Sequence, residues 1–141
     1  MADRLTPEGH GLPIGYKPPQ SAEELVRRYG AGERFFHEAD IPDGSSLRGA
    51  VLANAFFKET WLSDVDLSGA DLRGCRFEDS NVKCSDFRRA DLRNAVFVNT
   101  AVEATIWDGA NVEGADFSGA TAYGGTIRDA DFPFGRWGGR A

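Results

Sequence analysis

Residues 65–94, VDLSG ADLRG CRFED SNVKC SDFRR ADLRN, divide without a gap into six pentapeptides, and the middle residue of each is apolar: Leu67, Leu72, Phe77, Val82, Phe87 and Leu92. Followed outward, the same frame holds from Ser45 to Phe134 and gives eighteen repeats, every one with an apolar centre. Two residues before each centre stands a small side chain: nine Ala, three Ser, three Thr, and one each of Val65, Cys75 and Gly125. A spacing of two is the strand period, so the centre and the small residue share one face and the residue between them points outward. That outward residue is often Asp or Asn, as at Asp66, Asp71, Asn81, Asp86, Asp91, Asn111, Asp116 and Asp131. Two residues after the centre, Gly occurs seven times and Asn three times. Both types accept the positive φ that a type II turn requires at its third position. Each pentapeptide therefore reads as a very short strand followed by a corner. A helix is excluded, because a period of five is far from 3.6 and this density of glycine would cost about 1 kcal/mol per site.

Tandem units of the form A-[DN]-[LF]-x-x, plainest in ADLRG (70–74), SDFRR (85–89), ADLRN (90–94) and ADFSG (115–119), resemble the pentapeptide-repeat family over about two thirds of the chain. The resemblance implies an all-β solenoid, a right-handed quadrilateral β-helix in which four pentapeptides make one square coil. An internal check is available. Phe57, Phe77, Phe97 and Phe117 are twenty residues apart, so a four-sided coil stacks them as one aromatic ladder and other coil sizes scatter them. Upstream, Phe36 and Ile41 continue the pattern, one extra residue near Gly44 precedes the main array, and Phe36 becomes the bottom rung. Twenty repeats predict about five coils, a rod roughly 24 Å long at the spacing of paired strands.

A solenoid needs caps, because its terminal coils present apolar cross-sections and unpaired strand edges. Ser21-Ala-Glu-Glu24 is a capping box, Leu25, Val26 and Tyr29 suggest one apolar stripe, Arg27 and Arg28 suit a helix C-terminus, and Gly30 can end the helix. A capping α-helix is expected over about 22–29. The stretch ELVRRYGAGERFF (24–36) also resembles the lead-in of several bacterial members of the family. The organisation expected is an extended or mobile arm over 1–20, the cap helix and loop over 21–33, the β-helix over 34–134 and a short tail over 135–141. At the far end Phe134 and Trp137 are the bulky apolar groups left to close the top; failing that, a second copy of the chain is expected to cover it.

The chain has 141 residues and a formal charge of −6, the proportions of one soluble domain. Its first twenty residues hold no apolar run of signal or membrane-span length, and a cytoplasmic location without membrane contact is expected. Cys75 and Cys84 with His10 and His37 make no zinc-ligand spacing, so neither a metal nor another cofactor is expected. Cys75 falls on an inward small position and reads as core; Cys84 falls on a corner, where a reactive surface thiol is the alternative. No nucleotide-binding loop, nucleophile elbow or HExxH motif is present, and a rod filled with Leu, Phe and Ala has no catalytic pocket. A non-enzyme is expected.

The function expected is therefore that of a protein-binding scaffold, which engages a partner through one wall or one end. The resemblance also raises a second reading, since some family members bind gyrase and are proposed to imitate DNA: a topoisomerase-binding resistance or immunity factor. A rod of roughly 24 Å replacing duplex DNA needs about fourteen negative charges. Between 45 and 134 there are fourteen acids but nine bases, so the imitation is poor. The acidic balance likewise speaks against direct nucleic-acid binding. Outward positions that break the polar pattern are Val51, Phe56, Trp61, Val96, Ala101 and Ile106, and the register sets Arg76 between Phe56 and Val96. Grouped aromatics beside an Arg have the composition of a protein-contact site, for a partner or for a homodimer. The alternative is that the N-terminal arm, through Leu12, Ile14 and Tyr16, lies over Phe56 and Trp61 as part of the cap; the version expected is partial cover, with the Phe56, Arg76, Val96 strip left open.

Overall fold

A computed structural model describes residue 12, residues 14–122 and residues 125–126. The elements are α1 (Ala22–Gly30), β1 (Phe35–His37), β2 (Phe56–Lys58), β3 (Arg76–Glu78), β4 (Val96–Ala101), β5 (Asp116–Ala122) and β6 (Gly125–Thr126). Strands β1 to β5 pair in parallel in chain order, with Phe36, Phe57, Phe77 and Phe97 in register. They form one wall of a four-sided coil. Its outward column is Phe35, Phe56, Arg76, Val96 and Asp116 (wall 1). Three further columns of parallel bridges complete the square: Asp40, Trp61, Asn81 and Ala101 (wall 2); Ser46, Asp66, Asp86 and Ile106 (wall 3); Val51, Asp71, Asp91 and Asn111 (wall 4).

The expected Phe ladder is present. Ring centroids from Phe36 to Phe57, Phe77, Phe97 and Phe117 step by 5.7, 5.1, 4.7 and 4.9 Å, and adjacent rings are within 23° of parallel. A second stack stands on wall 3, where Phe87 and Trp107 lie 4.4 Å apart and 8° from parallel. Trp107 meets Phe117 edge-on at 5.5 Å, and its indole N–H donates to Thr105 Oγ1 at 2.6 Å. Among the described residues the centres, apart from the half-buried Val112, and most small residues are buried, so the rod interior is a column of interlocked large and small side chains.

Corners carry the backbone cost. From Glu38 to Gly114 the residue two after each centre has positive φ, with the exception of the centre at Ile41, where the left-handed residue is Gly44, three later. The extra residue read near Gly44 is thus where the frame shifts. On walls 3 and 4 these corners close with a hydrogen bond from the next small residue to the centre carbonyl, as Ala70 N to Leu67 O and Cys75 N to Leu72 O, both 3.1 Å. With positive φ only at the third position these are type II turns. After wall 1 the turn bond is replaced. Thr60 N donates to Ser80 Oγ at 3.0 Å and Ser80 N to Thr100 Oγ1 at 3.3 Å, each hydroxyl coming from the coil above. Ser85 serves Val65 N in the same way at 3.0 Å. The buried hydroxyls are therefore corner acceptors as well as small fillers, which satisfies donors that would otherwise be orphaned.

The upper end departs from the expected five coils. Phe36 to Phe117 spans four turns, and β5 then runs straight through its corner, with register shifts against β4 and no left-handed residue at Gly119. A Cβ at Gly119 would lie 2.9 Å from Phe97 O, so glycine permits the close approach. β6 turns back antiparallel, Thr121 against Thr126 and Ala122 against Gly125, where a further coil would have paired in parallel. Phe134 and Trp137, the expected closing groups, lie outside the described residues, as does any dimer contact at that end.

At the lower end α1 sits as the cap. Ser21 Oγ accepts from Glu24 N at 3.1 Å, while the Glu24 carboxylate accepts from Gln20 N at 3.0 Å, one residue earlier than the usual capping box. Leu25 is fully buried and Tyr29 donates to Ala53 O at 2.8 Å. Val26 is exposed, which corrects its place in the apolar stripe, and Gly30 is the last helical residue, with the left-handed turn at Gly32. Arg28 ties the cap together by pairing with Glu33 at 2.7 Å and Glu24 at 3.2 Å and donating to Lys17 O.

Candidate protein-contact surface

The structure brings some of the outward apolar residues together and separates others. Phe56, Arg76 and Val96 follow one another up wall 1, but Phe56 is only 7% exposed. This corrects the expectation of an open Phe56 strip. Phe35 lies beneath it with centroids 5.0 Å apart, and the Arg76 guanidinium covers it from above at 5.5 Å. The signal was legible in RFFHE (34–38), where Phe35 holds the outward position one coil below Phe56. Val96 and Ala101 are half-buried. Trp61, 52% exposed on wall 2, and Val51, 56% exposed on wall 4, lie on opposite faces of the square, and Ile106 is on wall 3. The seven residues are not one patch.

Nor does the arm act as expected. Ile14 is fully exposed and Leu12 is 39% exposed, while Trp61 keeps 52% of its surface open, so Ile14 shields neither Phe56 nor Trp61 and the indole is not covered. Residues 16–20 instead run along the first coil. Tyr16 Oη accepts from His37 N at 2.9 Å, and Asp40 N donates to Pro19 O at 3.0 Å.

The outward Asp and Asn residues are occupied by their own corners. Asp66, Asp71, Asn81, Asp86, Asp91, Asn111 and Asp116 each accept from the backbone N–H two residues on, at 2.8 to 3.3 Å. Three of them also bind the Arg at that position: Asp71–Arg73 at 2.7 Å, Asp86–Arg88 at 2.6 Å and Asp91–Arg93 at 2.7 Å. These guanidinium bonds, ahead of the backbone N–H, hold the three carboxyls below their ordinary range, and Ser118 does the same for Asp116. Since the folded values are depressed, the stabilisation is present above the unfolded carboxyl pKa of about 3.9 and is lost as pH falls through the folded values. The melting temperature is expected to decline as pH drops below about 4. Circular dichroism melts across the acid range check this, and a melting temperature that stays flat to about pH 2 contradicts it.

Cys75 is buried, donates to Leu52 O at 3.0 Å, and burial pushes its thiol up to about 12, so it is unreactive core. Cys84 is an exposed corner residue with positive φ. A cleft of about 650 Å³ lies between α1 and residues 42–46. Its serines serve the backbone: Ser21 accepts from Glu24 N, Ser45 donates to Pro42 O and Ser46 accepts from Arg48 N. A smaller cleft of about 290 Å³ lies at the foot of walls 1 and 2, lined by Glu38, Ala39, Asp40, Glu59 and Trp61. Here His37 Nε2 is 2.9 Å from Glu59 Oε1, and donor atoms of His37, Glu38 and Glu59 lie within 4.8 Å of one another. The extra residue near Gly44 already sets Phe36 under Phe57 and His37 under Lys58, but the convergence depends on side chains reaching across a corner, which no position of the repeat marks.

Among the described residues no helix is long and apolar enough to cross a membrane. No curated protein sequence matches the chain. Solved structures do. The chain is 28% identical to alr5209, a pentapeptide repeat protein from Nostoc Pcc 7120, with 71% of this chain and 78% of that one covered and a TM-score of 0.59. It is 26% identical to a pentapeptide repeat protein from the Arabidopsis thaliana thylakoid lumen, covering 68% of this chain and spanning 63% of that one, with a TM-score of 0.58. The model of pentapeptide repeats matches eight copies, over residues 43–69, 70–103 and 95–132. With square coils, inward centres and left-handed corners as far as Gly114, and with the family model matched over most of the chain, the chain belongs to the pentapeptide-repeat family.

Proposed function

We propose that the protein is a non-enzymatic scaffold that binds a partner protein through wall 2, with Trp61 as the anchor. The observation that carries this reading is the half-exposed indole of Trp61 on a wall of otherwise small or polar outward residues, Asp40, Asn81 and Ala101. An indole beside polar neighbours on a rigid, flat wall offers a large apolar contact area at little entropy cost. The buried Phe56 is left out of the contact. The topoisomerase reading gains no support from the surface, because Asp71, Asp86 and Asp91 are each closed by an Arg of their own repeat and Glu78 and Asp79 by Lys58.

Trp61→Ser tests the reading. The side chain contributes little to the monomer, so the melting temperature is expected to move by no more than about 2 °C. Affinity capture from the native host, and sedimentation at rising concentration for self-association, are expected to reveal a complex that the variant forms at least tenfold more weakly. Identical capture and sedimentation profiles for the two proteins would rule out Trp61 as the anchor.

A further inference from the structure

The corner after wall 1 stacks carboxylates: Glu38, Glu59 and Asp79 follow one another up the rod, with Asn99 at the top. In the upper part the charge is compensated. Lys58 Nζ reaches up to Glu78 and Asp79, 3.2 Å from each, and Asn99 Nδ2 donates to Asp79 at 2.7 Å. One coil lower, the residue in register with Lys58 is His37. It reaches up to Glu59 in the same way, but an imidazole donates to one carboxylate where the ammonium donates to two. Among the described residues nothing donates to the Glu38 carboxylate, and Lys58, in register above His37, is engaged with Glu78 and Asp79. Two stacked carboxylates and an imidazole thus face one another where the next coil places a fixed cation.

We infer that His37, Glu38 and Glu59 form a binding site for a divalent first-row transition metal ion, with Zn²⁺ as its representative. The donor set is one imidazole nitrogen and two carboxylate oxygens, which suits Zn²⁺ and disfavours Ca²⁺ and Mg²⁺, whose sites are built from oxygen alone. The donors lie within 4.8 Å of one another, and tetrahedral ligands about 2.1 Å from zinc are roughly 3.4 Å apart, so side-chain rotation closes the site. To ligate, His37 Nε2 exchanges its hydrogen bond with Glu59 for the metal. The ring is already oriented by stacking on Phe35, centroids 6.1 Å apart, and its backbone is held by Tyr16. The adjoining cleft of about 290 Å³ has room for the water molecules that complete the coordination sphere. Bound metal links the first coil to the second at the end of the rod where strand edges begin.

Titration of the untagged, metal-free full chain with ZnCl₂ is the test, read by calorimetry and by thermal melting. One ion per chain is expected, with a melting temperature raised by about 5 °C or more at a hundredfold excess over Kd. His37→Ala and Glu59→Gln are expected to weaken binding tenfold or more, and Cys84→Ser to leave it unchanged. Because the chain has two histidines, His10 and His37, the imidazole NMR signals give an independent readout that needs no variant: those of His37 should shift on zinc addition. Absence of saturable binding up to millimolar zinc, binding that survives His37→Ala, or Mg²⁺ binding as tightly as Zn²⁺ would overturn the inference. The titration needs no protein partner, so its result is separate from that of Trp61→Ser.

Discussion

Phe97→Ala is expected to lower the stability of the rod by about 3–5 kcal/mol, comparable to the whole stability of many domains. Phe97 is fully buried in the middle of the ladder, with ring neighbours on both sides at 4.7 and 4.9 Å and Trp107 edge-on at 6.2 Å. Truncation removes the transfer energy of the ring and leaves a cavity. That cavity cannot collapse, because the backbone above and below is held at the strand spacing by the parallel hydrogen bonds of β3, β4 and β5. A solenoid transmits stability only through adjacent coils, so a defect at the fourth rung also uncouples the fifth. Chemical denaturation followed by far-UV circular dichroism gives the magnitude. Trp107 fluorescence, altered by loss of its edge-on neighbour, reports that the change is local to the ladder. A loss below about 1 kcal/mol would mean that the rings are not packed as a continuous column.

Leu25→Ala is expected to cost about 2–5 kcal/mol and, beyond that, to promote association. Leu25 is the buried residue of α1 and is fully covered, so it is the main apolar attachment of the cap to the first coil. The other ties, Tyr29 to Ala53 O and the Arg28 pairs with Glu24 and Glu33, are polar and partly exposed, and contribute less. Once the helix loosens, the apolar floor at Phe36, Ile41 and Leu47 and the edge of β1 are open to a second molecule. Light scattering and melting curves at two protein concentrations separate the effects. A variant that melts lower but scatters like the parent at all concentrations would show that the cap stabilises without protecting the edge.

Both effects depend on features already legible in the sequence, and the reason is geometric. In a β-helix a centre residue stacks on the centres about twenty positions away, so a period of five and a period of twenty specify which side chains stack. The ladder from Phe36 to Phe117 follows from counting alone. The capping helix is also local information, since Ser21 and Glu24 act within one turn. The outward Asp and Asn residues are explained within a single repeat, each by the N–H two residues on.

What the sequence by itself determined, then, is everything set by a fixed interval: inside and outside, the square coil, the corners and the lower cap. Only the tertiary structure decided what lies where the interval changes or where neighbouring columns interact. It buried Phe56 between Phe35 and Arg76, because an outward aromatic can be covered by the outward residues of the coils on either side. It gave the hydroxyls of Ser80, Ser85 and Thr100 to corner N–H groups that have no turn carbonyl. It ended the regular coil at β5, where straight strand pairing and an antiparallel return replace a corner. It also turned the side chains of His37, Glu38 and Glu59 toward one another across a corner, which no position of the repeat marks.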